Sequence, residues 1–148
     1  MDNFGNMTIT SANATVTLRV PGLYESPVTL EGFQTDAIVS PAQVNPVVAE
    51  MGADGHMSVG WVPTVKAVTF AFAADSPSRQ VMEDWYSTQE ALREVMLCEV
   101  EAVLPSVNRK YTGLRGAMTA AQPGVNAQQT LRGSSFTITF ESWTGSEL

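Results

Sequence analysis

One cysteine and one histidine are all that this chain holds of the two residue types that dominate metal sites and nucleophilic catalysis. A lone thiol forms no internal disulfide, and a single imidazole cannot build the usual zinc set. Cys98 sits in the apolar run Val95-Met96-Leu97-Cys98 and reads as a buried thiol of a reducing compartment. His56 follows a glycine-rich turn and reads as an exposed loop residue. GxSxG, Walker, GxGxxG and HExxH patterns are all missing. The carboxylate pairs Glu83/Asp84 and Glu99/Glu101 are sequence neighbours, whereas a glycosidase draws its pair from separate elements facing a cleft. The sequence predicts no enzyme, and no cofactor or metal.

Charge is scarce as well. Only 16% of residues are charged, so Thr, Ser, Asn, Gln and Ala must cover the surface, as suits a chain that meets other protein. Acidic residues outnumber basic ones 15 to 8, for a net charge of −7. That balance argues against a nucleic-acid binder, because phosphate contacts are led by Lys and Arg, and it permits a surface that repels DNA. No run is apolar for long enough to span a bilayer, and residues 1–10 lack the basic-then-apolar order of a signal peptide. A soluble chain without a membrane anchor is expected. Its 148 residues fit one domain, 1–148, with a real core.

What is present is strand periodicity. Residues 1–13 are polar and small and read as a loose arm, after which Ala14 to Val20 alternates with Val16, Leu18 and Val20 inward. Pro21-Gly22 turns the chain, and a second strand is expected over residues 28–33, with Val28, Leu30 and Phe33 packed. Residues 36–39 and 46–51 approach the turn Gly52-Ala53-Asp54-Gly55; Pro41 and Pro46 place them on an edge or in a loop. Asp54-Gly55 is a hairpin dipeptide, since both residues tolerate the positive φ of a tight primed turn. Beyond it, residues 57–62 and 66–72 read as two successive antiparallel strands broken at Pro63-Thr64, with Val68, Phe70 and Phe72 on one face.

At Ser76-Pro77 the period changes. Serine caps a first helical turn and proline suits the first helical position. Val81, Met82, Trp85, Tyr86 and Gln89 form one stripe, so the helix should lay its Met82/Trp85 face on a sheet and end near Glu90. Residues 92–104 fit either period. A strand over 95–104 is favoured, with Met96, Cys98, Val100, Ala102 and Leu104 toward the core and Glu99 and Glu101 outward. Residues 105–112 read as a loop carrying Arg109, Lys110 and Tyr111; with Arg115 it holds three of the eight basic side chains. Such a cluster can touch nucleic acid by charge and stacking, but in an acidic chain pairing with a protein partner's carboxylates is expected. Residues 114–121 form a strand of small residues and 122–133 a polar connection. The final strand, 134–143, points Phe136, Ile138 and Phe140 inward, and residues 144–148 should fray.

A strand, a GADG hairpin, a second hairpin strand, a threonine-bearing strand running into a Ser-Pro-Ser helix start, and a closing strand near 134–141 follow one another over roughly residues 15–143. In that order they resemble the tail tube subunits of contractile-tailed bacteriophages. The resemblance implies a mainly β fold, a small β-sandwich or half-barrel with one flanking helix, six copies of which close into a ring barrel. It implies a structural virion protein, assembled in the host cytoplasm into the tail, whose stacked rings form a hollow conduit for genome DNA. Its partners would be further copies of itself, the sheath, the baseplate and the tail terminator, with DNA passing through without specific binding. A polyanion slides best past carboxylates, so Glu31, Glu99 and Glu101 are the candidates for lining the channel. Contacts between rings are expected from the arm and from the hairpin, with Asn45, Gly52, Asp54, Gly55, His56 and Trp61. Arg109, Lys110, Tyr111 and Arg115 are candidates for contact with a neighbouring or sheath subunit. A tube protein of a secretion or injection system, a baseplate tube-initiator, and a stand-alone β-sandwich binding module stay open beside this reading.

Overall fold

The computed structural model describes residues 14–31, 33, 39–124, 126–127 and 131–148. The expected arm, residues 1–13, and most of the approach at 36–39 lie outside them. The strands are β1 (Thr15–Val20), β2 (Tyr24–Leu30), β3 (Val39–Pro41), β4 (Val47–Met51), β5 (Met57–Trp61), β6 (Lys66–Phe72), β7 (Cys98–Leu104), β8 (Arg109–Ala121), β9 (Asn126–Ala127), β10 (Leu131–Arg132) and β11 (Ser134–Glu147). One helix, α1 (Pro77–Leu92), lies between β6 and β7. Seven strands form an antiparallel sheet in the order β2-β1-β7-β8-β11-β6-β3, and β4/β5 and β9/β10 are separate hairpins. The mainly β class with one flanking helix therefore holds.

The sheet rolls up. Leu30 pairs with Val16 at one edge, and Phe33 bridges Phe72 at the other. Three residues reach at most about 11 Å, whereas six strand spacings of a flat sheet would span about 29 Å. The two edges must approach at this end, which makes the sheet a half-barrel. Its apolar face carries the alternating residues expected to point inward. Val16, Leu18, Val20, Val68, Phe70, Phe72, Val100, Ala102, Phe136, Ile138 and Phe140 are buried there with Cys98. Residues with one face in the core and one in solvent give this period of two.

α1 covers that face. Ser76 accepts a hydrogen bond from the Ser78 amide at 3.2 Å, Pro77 opens the first turn, and Arg93 closes the helix in the left-handed region at φ 57. Met82 and Trp85 are fully buried against the sheet. The Trp85 indole donates to the Met96 carbonyl at 3.1 Å, so its one polar atom is satisfied. Ser76 and Ser78 also tie the helix start to the backbone of Glu31, the latter at 2.7 Å.

Several boundaries depart from expectation, each for a local reason. The second strand starts at Tyr24, because β2 is an edge where Pro27 needs no ladder partner, and Phe33 keeps only its single bridge. β5 pairs with β4 alone, while β6 lies between β11 and β3, so the two are not neighbours. In the turn only Gly55 takes a positive φ, 84°, and Gly52 bonds the His56 carbonyl at 2.8 Å. This is a three-residue loop with glycine in the left-handed position, not a two-residue primed turn. The helix runs two residues past Glu90. β7 starts at Cys98 because helix side chains hold the backbone of Met96 on both sides: its N–H donates to the Gln89 side chain at 2.8 Å and its carbonyl accepts from Trp85. Leu104 ends up only half-buried. The loop expected at 105–112 is a short 3-10 turn, Pro105–Val107, after which β8 begins at Arg109. Residues 144–147 do not fray but pair with residues 109–112.

Candidate functional site

With α1 on one face, the half-barrel leaves the other face open, and the alternation that buries the core decides what stands there. Thr17, Thr69, Thr112, Thr119, Thr137 and Thr139 all point to this side. Hydroxyls bond across strands, Thr69 to Thr137 at 3.1 Å and Thr119 to Thr139 at 2.8 Å. β-Branched side chains suit a pleated surface, and a neutral hydroxyl offers a phosphate no fixed positive charge.

Two arginines on this face are engaged by carboxylates. Arg19 meets Glu99 at 3.3 Å and Glu25 at 4.0 Å, and Arg115 meets Glu141 at 3.0 Å. Glu101 projects from the middle of the same face, opposite Thr17 on β1 and Thr112 on β8, with no ion pair among the described residues. The structure thus brings Glu99 and Glu101 together on the open face. Glu31 sits apart: it is exposed one residue beyond β2, with its backbone bound to the helix start.

The hairpin β4/β5 stands out from the sheet, and every residue of both strands is exposed. Its register pairs Val47 with Trp61, Ala49 with Val59 and Met51 with Met57 on one face, and Glu50 with Ser58 on the other. One face is therefore wholly apolar and in water; Trp61 is 75% exposed. Patches of that kind mark surfaces that meet a partner. Asn45 precedes β4, and Gly52, Asp54, Gly55 and His56 form the tip, where Asp54 accepts the His56 amide at 3.0 Å. The apolar face was not singled out from the sequence, although the alternation of residues 47–51 and 57–61 about the turn contains it.

The basic-aromatic cluster is not one cluster. Arg109 lies over the Tyr111 ring, 5.8 Å from its centroid, and Tyr111 stacks on Trp143 at 5.8 Å. Lys110 alternates to the open side, and Arg115, at φ 51, bends β8. Arg115 also lines a shallow groove with Trp61, Lys66, Thr139 and Glu141 at the hairpin's base. Among the described residues no group of His, Cys, Asp and Glu is placed to hold a metal, and no helix is long and apolar enough to cross a membrane.

Comparison with known proteins agrees with this geometry. A family model described as tail fiber protein gp32 matches residues 7–144. No curated protein sequence matches the chain. Among solved structures, the tube terminating cap of the anti-feeding prophage is similar, with a TM-score of 0.65 at 12% identity over 95% of this chain and 92% of that one. The sheath–tube complex of an extracellular contractile injection system gives 0.62 at 10% identity, over 90% and 88%. The baseplate of the anti-feeding prophage gives 0.60 at 10% identity, over 90% and 92%. With the family match running over nearly its whole length, the protein belongs to the tail fiber protein gp32 family and carries the fold of contractile-system tube and cap proteins.

Proposed function

We propose that this chain is a tail tube subunit: six copies close into a ring, rings stack into a hollow tube, and genome DNA leaves through the tube when the tail contracts. The observation that carries the reading is the open face of the sheet, rich in threonine, with Arg19 and Arg115 neutralised by carboxylates. Among the described residues Glu101 and Lys110 are without an ion pair, Lys110 at the far end of the face. A polyanion moving past such a wall makes few counterion-releasing contacts and does not stick. The role is structural, in a virion assembled in the host cytoplasm, with the sheath, the baseplate and the terminator as partners. The apolar face of the hairpin, together with the arm, reaches the adjacent ring. Lys110, unpaired among the described residues, is the member of the basic set left to meet a neighbour's carboxylate, and Arg109 and Tyr111 shape the surface beside it.

Charge reversal tests the conduit. Glu99→Lys with Glu101→Lys turns the wall cationic in every subunit; Glu101 has no ion pair among the described residues, and losing the exposed Arg19–Glu99 pair costs about 1 kcal/mol or less. Glu83 is a poor control, because its side chain is 23% exposed and bound to Arg79. Asp84→Lys with Glu90→Lys, on the exposed side of α1, serves instead. Particles built with the Glu99/Glu101 variant should deliver their genome poorly and the control normally. Normal delivery through an intact Glu99/Glu101 tube would remove these carboxylates from the path. If the purified chain forms only isolated rings, a cap or tube-initiator takes the place of the tube subunit.

A further inference from the structure

Among the described residues the sheet's two end strands are both blunted. β2 carries Pro27, which offers no N–H, and β3 is three residues long and ends in Pro41. Two inner strands also run past a neighbour: β8 over residues 117–121, beyond the start of β7, and, over a longer stretch, β11. The pairing of β11 with β6 stops at Phe140 and Lys66, while its pairing with β8 continues to Glu147 and Arg109. Residues 141–147 therefore lie beside no strand on their outer side among the described residues.

Which backbone groups face outward follows from the register. Pro27 can only turn its nitrogen away from β1, so Val28 and Leu30 face β1. Passing that alternation across β1, β7 and β8 makes Ser142, Thr144 and Ser146 face β8. Two hydrogen bonds agree: the Leu148 amide donates inward to the Asn108 carbonyl at 3.4 Å, and Lys66 Nζ donates to the outward Glu141 carbonyl at 3.4 Å. Trp143, Gly145 and Glu147 thus present N–H and C=O to the outside. The two sides of the strand differ. Trp143 and Tyr111 form an aromatic shelf on one, against which Gly145 leaves room, since a Cβ there would lie 2.6 Å from Arg109 and 2.9 Å from Tyr111. Ser142, Thr144 and Ser146 put hydroxyls on the other.

We infer that this edge accepts the run Met7-Thr8-Ile9-Thr10 of a second copy as an added strand. The run alternates apolar with hydroxyl residues, so Met7 and Ile9 match the aromatic shelf while Thr8 and Thr10 match the hydroxyl side. Thr15, Val103, Lys110 and Ser146 lie in one row across the sheet, so within one copy the run would have to cross from Thr15 past β7, β8 and β11. A neighbouring copy in the proposed assembly meets the edge from outside. The inference rests on the proposed assembly of copies and says where the arm goes.

Amide hydrogen exchange on the full chain tests it, with Ile9→Pro to spoil the donor run, Asn3→Pro as control, and the Val16 and Leu18 amides as a check on the fold. At assembling concentration the Trp143, Gly145 and Glu147 amides should exchange at least about tenfold more slowly than in Ile9→Pro, and Asn3→Pro should match the intact chain. Dilution should remove the difference; slowing that persists at every concentration would mean a contact within one copy and overturn the second-copy donor. Filaments whose three amides stay as fast as in Ile9→Pro would overturn the inference and leave the tube reading standing. If the chain does not assemble, a synthetic peptide of residues 5–13 is added in excess. Slowing of the same three amides then supports the acceptor edge while the tube reading falls, and no slowing overturns the inference.

Discussion

Cys98 shows how much a single side chain's surroundings can be read from its neighbours. It is 1% exposed on the core side of β7, and burial, with the Glu99 charge adding to it, pushes the thiol up to about 12 from its ordinary 9.0. A thiol held neutral in the fold ionises more easily once the chain unfolds. Its contribution to stability is therefore full below the unfolded value and is lost as pH rises from there toward the folded one. Between about pH 8 and about pH 10.5 the intact chain should lose about 2 kcal/mol that Cys98→Ala does not. Denaturant titrations at the two pH values measure the difference, and equal losses in both chains would show that the thiol is not held neutral. Two glycines act at the same scale. Phe140 lies close on β8 because a Cβ at Gly113 or Gly116 would meet its ring at 2.6 Å. Nothing in the sequence marks these positions, since the constraint comes from a strand twenty-odd residues away.

The hairpin is the element whose structure asks most clearly for a partner. Two strands alone are marginal in water, and this pair spends its one apolar face on solvent. Val59→Thr with Met57→Thr keeps strand propensity while making that face polar. Such a chain should melt within a few degrees of the parent, because neither residue touches the core. It should nevertheless form no long filaments in electron micrographs; filaments of ordinary length would remove this face from the contact between rings. The turn, the capped helix and the core alternation were legible because each is a local pattern: Asp54-Gly55, Ser76-Pro77, and Val16/Leu18/Val20. The limits of β7 and β8 were not. Met96 is kept out of the ladder by Gln89 and Trp85, and Arg109 to Tyr111 become strand because residues 102–104 on one side and 145–147 on the other pair with them. On the open face, Glu99 and Glu101 followed from alternation, but the ion pair of Arg19 with Glu99 depends on a register between β1 and β7 that no local pattern contains.

At the scale of the whole molecule, the direction of a salt effect separates two ways of assembling. Each copy carries a net charge of −7, so copies brought into a ring repel one another over a screening length of about 8–10 Å at moderate ionic strength. Association through an apolar hairpin face and through backbone edges has no opposing charges to lose when salt is added. Screening then weakens only the repulsion, and assembly should strengthen as salt rises. Association led by Lys110 and its basic neighbours would behave the other way, because salt screens such pairs. Mass photometry and gel filtration across a salt series at high protein concentration read the outcome directly. The 15.9 kDa species should give way to rings and filaments as salt increases. Dissolution by salt would move the contact to the basic residues, and a 15.9 kDa species alone at every salt concentration, with empty grids, would end the tube reading.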